Sequence, residues 1–348
     1  NIFYNLNDYV IYASGVDSVL VADAIIYPDS SKLVVEKSAI IRTLDNATVI
    51  ANSLTQYHTF KKSSINIKGK YNYTGKGEYT YKDKFNKDQT IFLQEISVNE
   101  DLMTVATGFV KDDNPFNLGS RFKFKGNVNL SADDKYLTFD GFFKIDHKCS
   151  FIPVEWIRFT SEIAPDNIIF ELDSFVINDD DERLTAGLVM NVDSSNIYST
   201  FLNKKRRNID IDLLTASYFL YYDKDETAFV VSGYDSLSNV FRLYDKECLV
   251  NGDGILDLGI SLGRIGVETA GFIEHNILSE DVDIRVFLLL DFFFSEKALK
   301  IMAEDIFLSP GIDNYDFTSD FYGKTLARII GEEKATELLI DLEMSGEF

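Results

Sequence analysis

Cysteine, histidine, long hydrophobic runs and, in the second half of the chain, positive charge are all scarce. Each shortage removes a class of explanation. Two cysteines in 348 residues, Cys149 and Cys248, make no disulfide framework, and neither sits in a CxxC pair. One bridge in an oxidising compartment and two buried free thiols both remain open, because pairing requires a distance that sequence does not give. The three histidines, His58, His147 and His275, lie far apart, and no two have the helical spacing of metal ligands. The longest greasy run, Val286–Phe294, is far short of the 18 or so residues of a membrane-spanning helix and contains Asp291. The chain is therefore expected not to span a membrane by a helix. Alternating segments and the terminal Phe348 bring a membrane barrel to mind, but acidic strands and a helical pattern just before the end argue against one.

Basic charge is missing in a particular place. Residues 1–150 hold 18 Lys and Arg against 18 Asp and Glu, whereas residues 151–348 hold 16 against 38, which gives the whole chain its net charge of −22. A half this acidic repels nucleic-acid phosphate, so nucleic-acid binding is not expected. No P-loop, GxGxxG or GxSxG is present, and no cofactor or small-molecule substrate is expected. No targeting leader is visible, but the chain starts without Met inside a β-like pattern and reads as a processed or partial chain.

Aromatic residues are plentiful: 28 Phe and 18 Tyr favour packed sheets. Ile65–Thr74 (INIKGKYNYT) and Phe122–Ser131 (FKFKGNVNLS) share an alternating pattern around a central Lys-Gly, which predicts a duplicated β module. Asp23–Ile26 and Ser38–Ile41 echo each other in the same way. Strands are expected over Tyr9–Ala13, Ser18–Tyr27, Leu33–Arg42 and Thr48–Asn52, with turns at Pro28–Ser31 and Leu44–Asn46. They continue over Tyr71–Tyr81, Thr90–Val98, Met103–Val110, Phe122–Leu130 and Tyr136–Asp146. Beyond a boundary near Cys149–Pro165, strands are expected over Asp166–Ile177, Leu184–Val192, Ala216–Tyr222, Ala228–Val231 and Phe241–Tyr244. A three-stranded meander follows over Ile255–Ile260, Ile265–Glu274 and Val282–Phe294. Then Ser295 offers a helix N-cap, with Ala298, Leu299, Met302 and Ile306 at helical spacing. A second helix begins after Thr318 with Phe321, Leu326, Ile329 and Ile330 expected inward. Gly331 ends it, and Glu332–Leu342 restarts the period with Ala335, Leu338, Leu339 and Leu342. The fold expected is mainly β, with repeated short strands in solenoid- or sandwich-like stacked sheets and a small C-terminal helical cap. Its divisions are a repeat-containing β region at 1–150, an acidic β region at 151–294 and a helical segment at 295–348.

Candidate chemistry is thin. Asn251–Asp257 resembles a calcium loop, but Leu249 and Ile260 would fall at ligand positions 1 and 12, so a tight turn entering a strand is expected. Glu155, Glu162 and Asp166 near Trp156 evoke the paired carboxylates of a glycosidase, against a structural Trp packed where two sheets meet. His147-Lys148-Cys149 lacks an orienting third group for a Cys–His nucleophile. Lys204–Arg207 is a basic insert in an acidic half, read as a loop or a helix cap.

Several stretches resemble large secreted or envelope proteins of Bacteroidota bacteria: Ala22–Ser30, Lys37–Ala47, Phe124–Phe139 with Gly141, and Phe292–Leu299. The first two are also similar to the β-rung repeats of the lipopolysaccharide-transport OstA class. The resemblance carries no catalytic residue. It implies the C-terminal part of a longer, non-enzymatic protein of the periplasm, associated with the outer membrane. It extends to the plug of the type 9 secretion translocon, and so implies binding to a large outer-membrane β-barrel whose periplasmic opening is occluded or gated. Aromatic anchors for such a partner are sought at Tyr71, Tyr73, Tyr79 and Tyr81, and at Phe292, Phe293 and Phe294. The alternative is a lipid carrier with an apolar β groove, and a carbohydrate-binding module is a third reading.

Overall fold

The computed structural model describes every residue except 1, 38–39, 84–86, 114–115, 173–174, 261–264, 293, 308–319 and 346–348. The chain is mainly β, with antiparallel sheets, one of them curled into a half-barrel, and three short helices at the C-terminus. It divides into two compact units. The first holds residues 1–146 and 156–170, and the second holds 147–155 and 171–348.

In the first unit the strands are β1 (Ile2–Asn5), β2 (Val10–Ser14), β3 (Val19–Val21), β4 (Ala24–Tyr27), β5 (Lys32–Val35), β6 (Leu44–Ala51) and β7 (His58–Gly69). They continue with β8 (Asn72–Lys82), β9 (Asp88–Val98), β10 (Thr104–Val110), β11 (Phe116–Gly119), β12 (Phe122–Ser131), β13 (Leu137–Ile145) and β14 (Ile157–Ile163). β1, β2 and β5 form a small sheet. The others form a large one in the order β14-β13-β12-β10-β9-β8-β7-β6-β4-β3, with β11 also on β12. Sequence neighbours are mostly sheet neighbours because short turns can join only antiparallel strands.

Strict alternation decides which face is buried. On β12, Phe122, Phe124, Val128 and Leu130 point inward, while Lys123, Lys125, Asn127 and Asn129 point away. Phe139 and Phe143 of β13 and Phe159 of β14 continue that interior, joined by Phe170. The rings meet mostly edge to face, with Phe124–Phe139 centroids 5.0 Å apart and Phe143–Phe159 5.3 Å apart, while Phe143 and Phe170 stack at 3.9 Å. One polar cluster is buried here. Asp23, in the turn between β3 and β4, accepts from the Thr104 amide at 3.1 Å and its hydroxyl at 2.6 Å, and Thr104 also meets the Tyr73 hydroxyl at 2.6 Å.

β15 (Ile169–Glu171) lies where the two units divide. The second unit contains β16 (Thr185–Met190), β17 (Ile197–Asn203) and β18 (Ile211–Ala216), paired in the order β17-β16-β18. β19 (Phe219–Asp223), β20 (Ala228–Ser232), β21 (Val240–Tyr244), β22 (Leu249–Ile255), β23 (Gly266–Asn276) and β24 (Asp281–Asp291) pair in sequence order. Phe201 of β17 lies against Phe229 and Phe241 of this second sheet. The helices are α1 (Glu296–Phe307), α2 (Asp320–Ile330) and α3 (Glu332–Ser345). Ser295 caps α1 as expected, its hydroxyl accepting from the Ala298 amide. Gly331, at φ +89°, separates α2 from α3. Cys149 and Cys248 form a disulfide within this unit.

Several expectations are corrected. The apparent duplication is not structural: Phe122–Ser131 is one strand, whereas Ile65–Thr74 bends through the β7–β8 turn at Lys70-Tyr71. The echo at Ser38–Ile41 lies partly outside the described residues. Leu44–Asn46 begins β6 instead of forming a turn, with a register shift near Asn46, whose φ is +56°. Asn251–Gly254 lies inside β22, which ends where the expected strand Ile255–Ile260 would begin. β17 and most of β18 were not anticipated, and among the described residues of Asp166–Ile177 the strand found is the three-residue β15.

The two glycines of the sequence pattern predict different tolerances. Gly126 has φ +137° and faces Gly141 across the β12–β13 ladder; a Cβ there would lie 2.6 Å from the Asp140 carbonyl and 2.7 Å from Gly141 Cα. Gly69 has open space around its Cβ position. Gly126→Ala is expected to cost about 1–3 kcal/mol in urea unfolding, with Gly69→Ala changing stability by less than about 0.5 kcal/mol. The disulfide closes a sequence separation of 99 residues. Replacing both cysteines by serine is expected to lower unfolding stability by about 2–5 kcal/mol, and adding reductant to that variant should change nothing further.

Candidate functional site

The seven aromatic residues singled out in the sequence have different fates. Tyr73 and Tyr81 are interior: the Tyr73 hydroxyl bonds to Thr104, and that of Tyr81 donates to the Leu118 carbonyl at 2.9 Å. Burial raises both phenol pKa values, and neither residue offers a partner any surface. Tyr79 is half-buried, its hydroxyl 3.2 Å from His58 Nδ1. The other His58 nitrogen lies 2.7 Å from the Asp134 carbonyl, and burial holds the imidazole pKa down. Tyr71 is exposed at the β7–β8 turn. At the far end of the chain, Phe292 and Phe294 stack with centroids 5.5 Å apart, Phe292 half-buried and Phe294 47% exposed. Phe293 lies outside the described residues.

These last residues follow β24, the end strand of the second unit's larger sheet. The β24 ladder to β23 runs from Asn276↔Asp281 to Gly266↔Asp291, and among the described residues no strand pairs with its other edge. Its consecutive residues Leu288, Leu289 and Leu290 are all exposed, Leu288 by 51%, so both faces carry open apolar surface. Leu299 and Ile301 of α1 and Leu338 and Ile340 of α3 are exposed as well. Leu299 and Leu338, which the sequence places at helical spacing, are thus on open faces of their helices.

α2 is held on the sheet by the Tyr322 ring against Phe287, 4.7 Å between centroids, and by a polar cluster. On α2 the buried residues are Thr325, Ala327 and Arg328, while the expected Leu326, Ile329 and Ile330 are half-buried and Phe321 has no described side chain. The Arg328 side chain is only 1% exposed. It reaches Asp253 Oδ1 at 2.5 Å and donates to the Leu237 and Ser238 carbonyls at 2.8 and 3.2 Å. Those carbonyls are presented by a turn in which Asp235 accepts from the Leu237 and Ser238 amides. Arg242 and Lys324 also pair with Asp253, at 3.2 and 3.4 Å. Burial pushes the Asp253 carboxyl up, but the Arg328 hydrogen bond and the charges of Arg328, Lys324 and Arg242 outweigh it and hold it below the usual aspartate range. The Asn251–Asp257 motif thus grips an arginine, its Asp pointing to α2 and its Gly252 leaving room for Leu214 and Phe241.

Other candidate chemistry does not assemble. Among the described residues no group of three or more His, Cys, Asp or Glu is placed to hold a metal ion. His275 Nδ1 lies 2.6 Å from the Ser199 hydroxyl, a pair the sequence reading missed. Burial lowers the His275 pKa, and among the described residues no carboxylate hydrogen bond orients its ring, so the pair ties β17 to β23 without the third group that an activated serine needs. The basic insert is a loop with its charges answered: Lys204 by Glu182, Lys205 by Asp212, Arg207 by Asp193, while Arg206 lies over the Tyr198 ring. Glu155 Oε2 lies 3.5 Å from Asn178 Nδ2. Trp156 stands beside β14, half-buried, with the Lys125 and Lys144 ammonium groups over its ring.

The Asp253 cluster makes a pH prediction. A carboxyl with a depressed folded pKa contributes stability that is present above its unfolded value and lost as pH falls through its folded value. Asp253→Asn is expected to lower stability at pH 7 by about 3 kcal/mol, because it leaves the buried Arg328 unpaired. The variant should also lose less stability than the parent between about pH 4 and pH 2 in denaturant titrations. No known protein family, curated protein or solved structure matches this chain.

Proposed function

We propose that this is a non-enzymatic envelope protein that binds a large outer-membrane β-barrel from the periplasmic side and occludes or gates its opening, as a plug or accessory subunit of a type 9-like translocon. The observation that carries the reading is β24: an edge strand of 11 residues whose first half carries exposed Asp283 and Arg285 but whose second half, Leu288–Leu290, exposes apolar side chains on both faces, followed by Phe292 and Phe294. Long apolar edges are normally blunted by charge, proline or a covering element, because they template pairing with another chain. One left open in a chain whose α1 and α3 also expose apolar side chains is the kind of surface that a partner covers. A β-barrel partner offers rigid strands and a broad wall. The Cys149–Cys248 disulfide supports an oxidising compartment outside the cytoplasm.

The lipid-carrier alternative requires a continuous apolar trough. The interiors of both units are instead filled by ring-to-ring contacts. The depressions bordered by Ile2, Tyr12 and Val34 and by Leu256, Val267 and Ile329 have volumes of about 320 and 280 Å³. Neither depression is a continuous apolar trough.

The test is isolation from native outer membranes. The chain should co-purify with a large β-barrel protein, and Leu288→Glu with Leu290→Glu should abolish the association while circular dichroism stays unchanged. A free periplasmic protein with no membrane partner, or association indifferent to the β24 changes, overturns the proposal.

A further inference from the structure

Granted that β24 is the surface on which the barrel protein docks, we infer that it takes up an extended segment of that partner as an added antiparallel strand. The segment carries apolar residues toward one end and lysine or arginine toward the other, and it lies outside the barrel wall. The sequence of β24, DVDIRVFLLLD, contains no proline or glycine, and its ladder to β23 runs the full 11 residues without a register shift. The free edge is therefore regular along its length, with main-chain donors and acceptors directed away from β23 at alternate residues. Among the described residues, the other strands that end a sheet (β1, β3, β5, β14, β15, β17 and β18) have only three to seven residues. Shortness is one of the ways in which edges avoid pairing with another chain. By that measure β24 is the exception.

Alternation sorts the side chains that such a strand meets. Val282, Ile284, Val286, Leu288 and Leu290 share one face, where Ile284, Leu288 and Leu290 are exposed and the two valines half-buried. On the other face Phe287 is already taken, its ring 4.7 Å from that of Tyr322 on α2. Asp281, Asp283 and Arg285 are exposed on this second face, and Glu274 of β23 stands directly opposite Asp283. Like charges opposed in this way repel. Arg285 pairs with Asp283 at 2.6 Å, and among the described residues no ion pair answers Glu274 or Asp281. The edge thus wants positive charge at its Asp281 end and apolar cover at its Leu290 end. A strand with Lys or Arg beside Asp281 and Asp283, and apolar side chains beside Leu288 and Leu290, supplies both.

Other occupants fit less well. A closed barrel has no free strand edge, so its wall cannot extend the main-chain ladder, and the pairing strand has to come from a loop or tail. A second copy of this chain brings the same acidic residues to the edge, and each copy carries a net charge of −22. An acyl chain offers nothing to the open main-chain groups, whereas an extended peptide satisfies them along its whole length. Antiparallel pairing is the more stable of the two directions. In that direction the captured segment reads apolar first and basic last.

The probe is a fluorescein-labelled peptide, VTVTVTVKTK, whose valines fall opposite Leu290, Leu288, Val286 and Ile284 and whose lysines fall opposite Asp283 and Asp281. Added to the whole chain at low salt, it should bind by fluorescence anisotropy about tenfold tighter than VTVTVTVETE, with the gap closing as salt is raised. N-methylation of the peptide at alternate positions should abolish binding in one phase and spare it in the other, as for a strand bonded along one edge. Leu288→Glu with Leu290→Glu, and separately Asp281→Asn with Asp283→Asn, should each weaken binding about tenfold. Leu54→Glu, at an exposed site of the first unit, should leave it unchanged. Equal binding of the two peptides, equal sensitivity to methylation in both phases, or dimers of the chain that depend on β24 overturn the proposal. A barrel that co-purifies through β24 while no peptide binds removes the added strand and keeps the docking surface. A bound peptide with no barrel partner supports the added strand and removes the barrel.

Discussion

The saturation of main-chain hydrogen bonds between sequence-adjacent strands governs the rest of this molecule. Once a strand has a neighbour on each side, its backbone can offer nothing to an outside chain, and recognition is left to side chains on a face. Only terminal strands keep donors and acceptors in reserve. β24 has a bare edge and apolar flanks, suited to another protein, while β12 and β13 are paired on both sides and present only rows of side chains.

Alternation made much of the first unit legible in the sequence. Tyr71–Tyr81, Thr90–Val98, Met103–Val110, Phe122–Leu130 and Tyr136–Asp146 fall within a residue or two of β8, β9, β10, β12 and β13. The same reasoning failed where pattern and geometry part. Lys-Gly occurs in both INIKGKYNYT and FKFKGNVNLS, but only a structure shows that one glycine ends a strand and the other faces a glycine across the ladder. β17 was missed because Ile197–Asn203 carries Ser, Thr and Asn amid its apolar residues, and burial on nearly every position of the strand leaves no alternation to see.

The helical segment was found by period but misread by face. Apolar residues at helical spacing normally mark the buried side, and on α2 that rule selects Leu326, Ile329 and Ile330. The side that docks is defined by Arg328, because Asp253 and two carbonyls await it on the sheet side. A long-range ionic contact leaves no trace in local periodicity. The aromatic candidates divide for a similar reason: along one strand, Tyr73 and Tyr81 fall inward, and only a resolved register separates them from residues a partner can touch. The alternating lysines of FKFK were visible in the sequence, but not that Lys125 would lie over the rings of Phe142 and Trp156.

The segment 147–155 belongs to the second unit, although the residues before and after it belong to the first. Neither unit is therefore a contiguous stretch of sequence. A cut near residue 150 would part β14 from the β13 edge it completes and leave the half-cystine at Cys149 on a different fragment from Cys248. The shortest piece of this protein that keeps both units whole has to carry the crossing in each direction, which makes the chain indivisible for dissection by truncation.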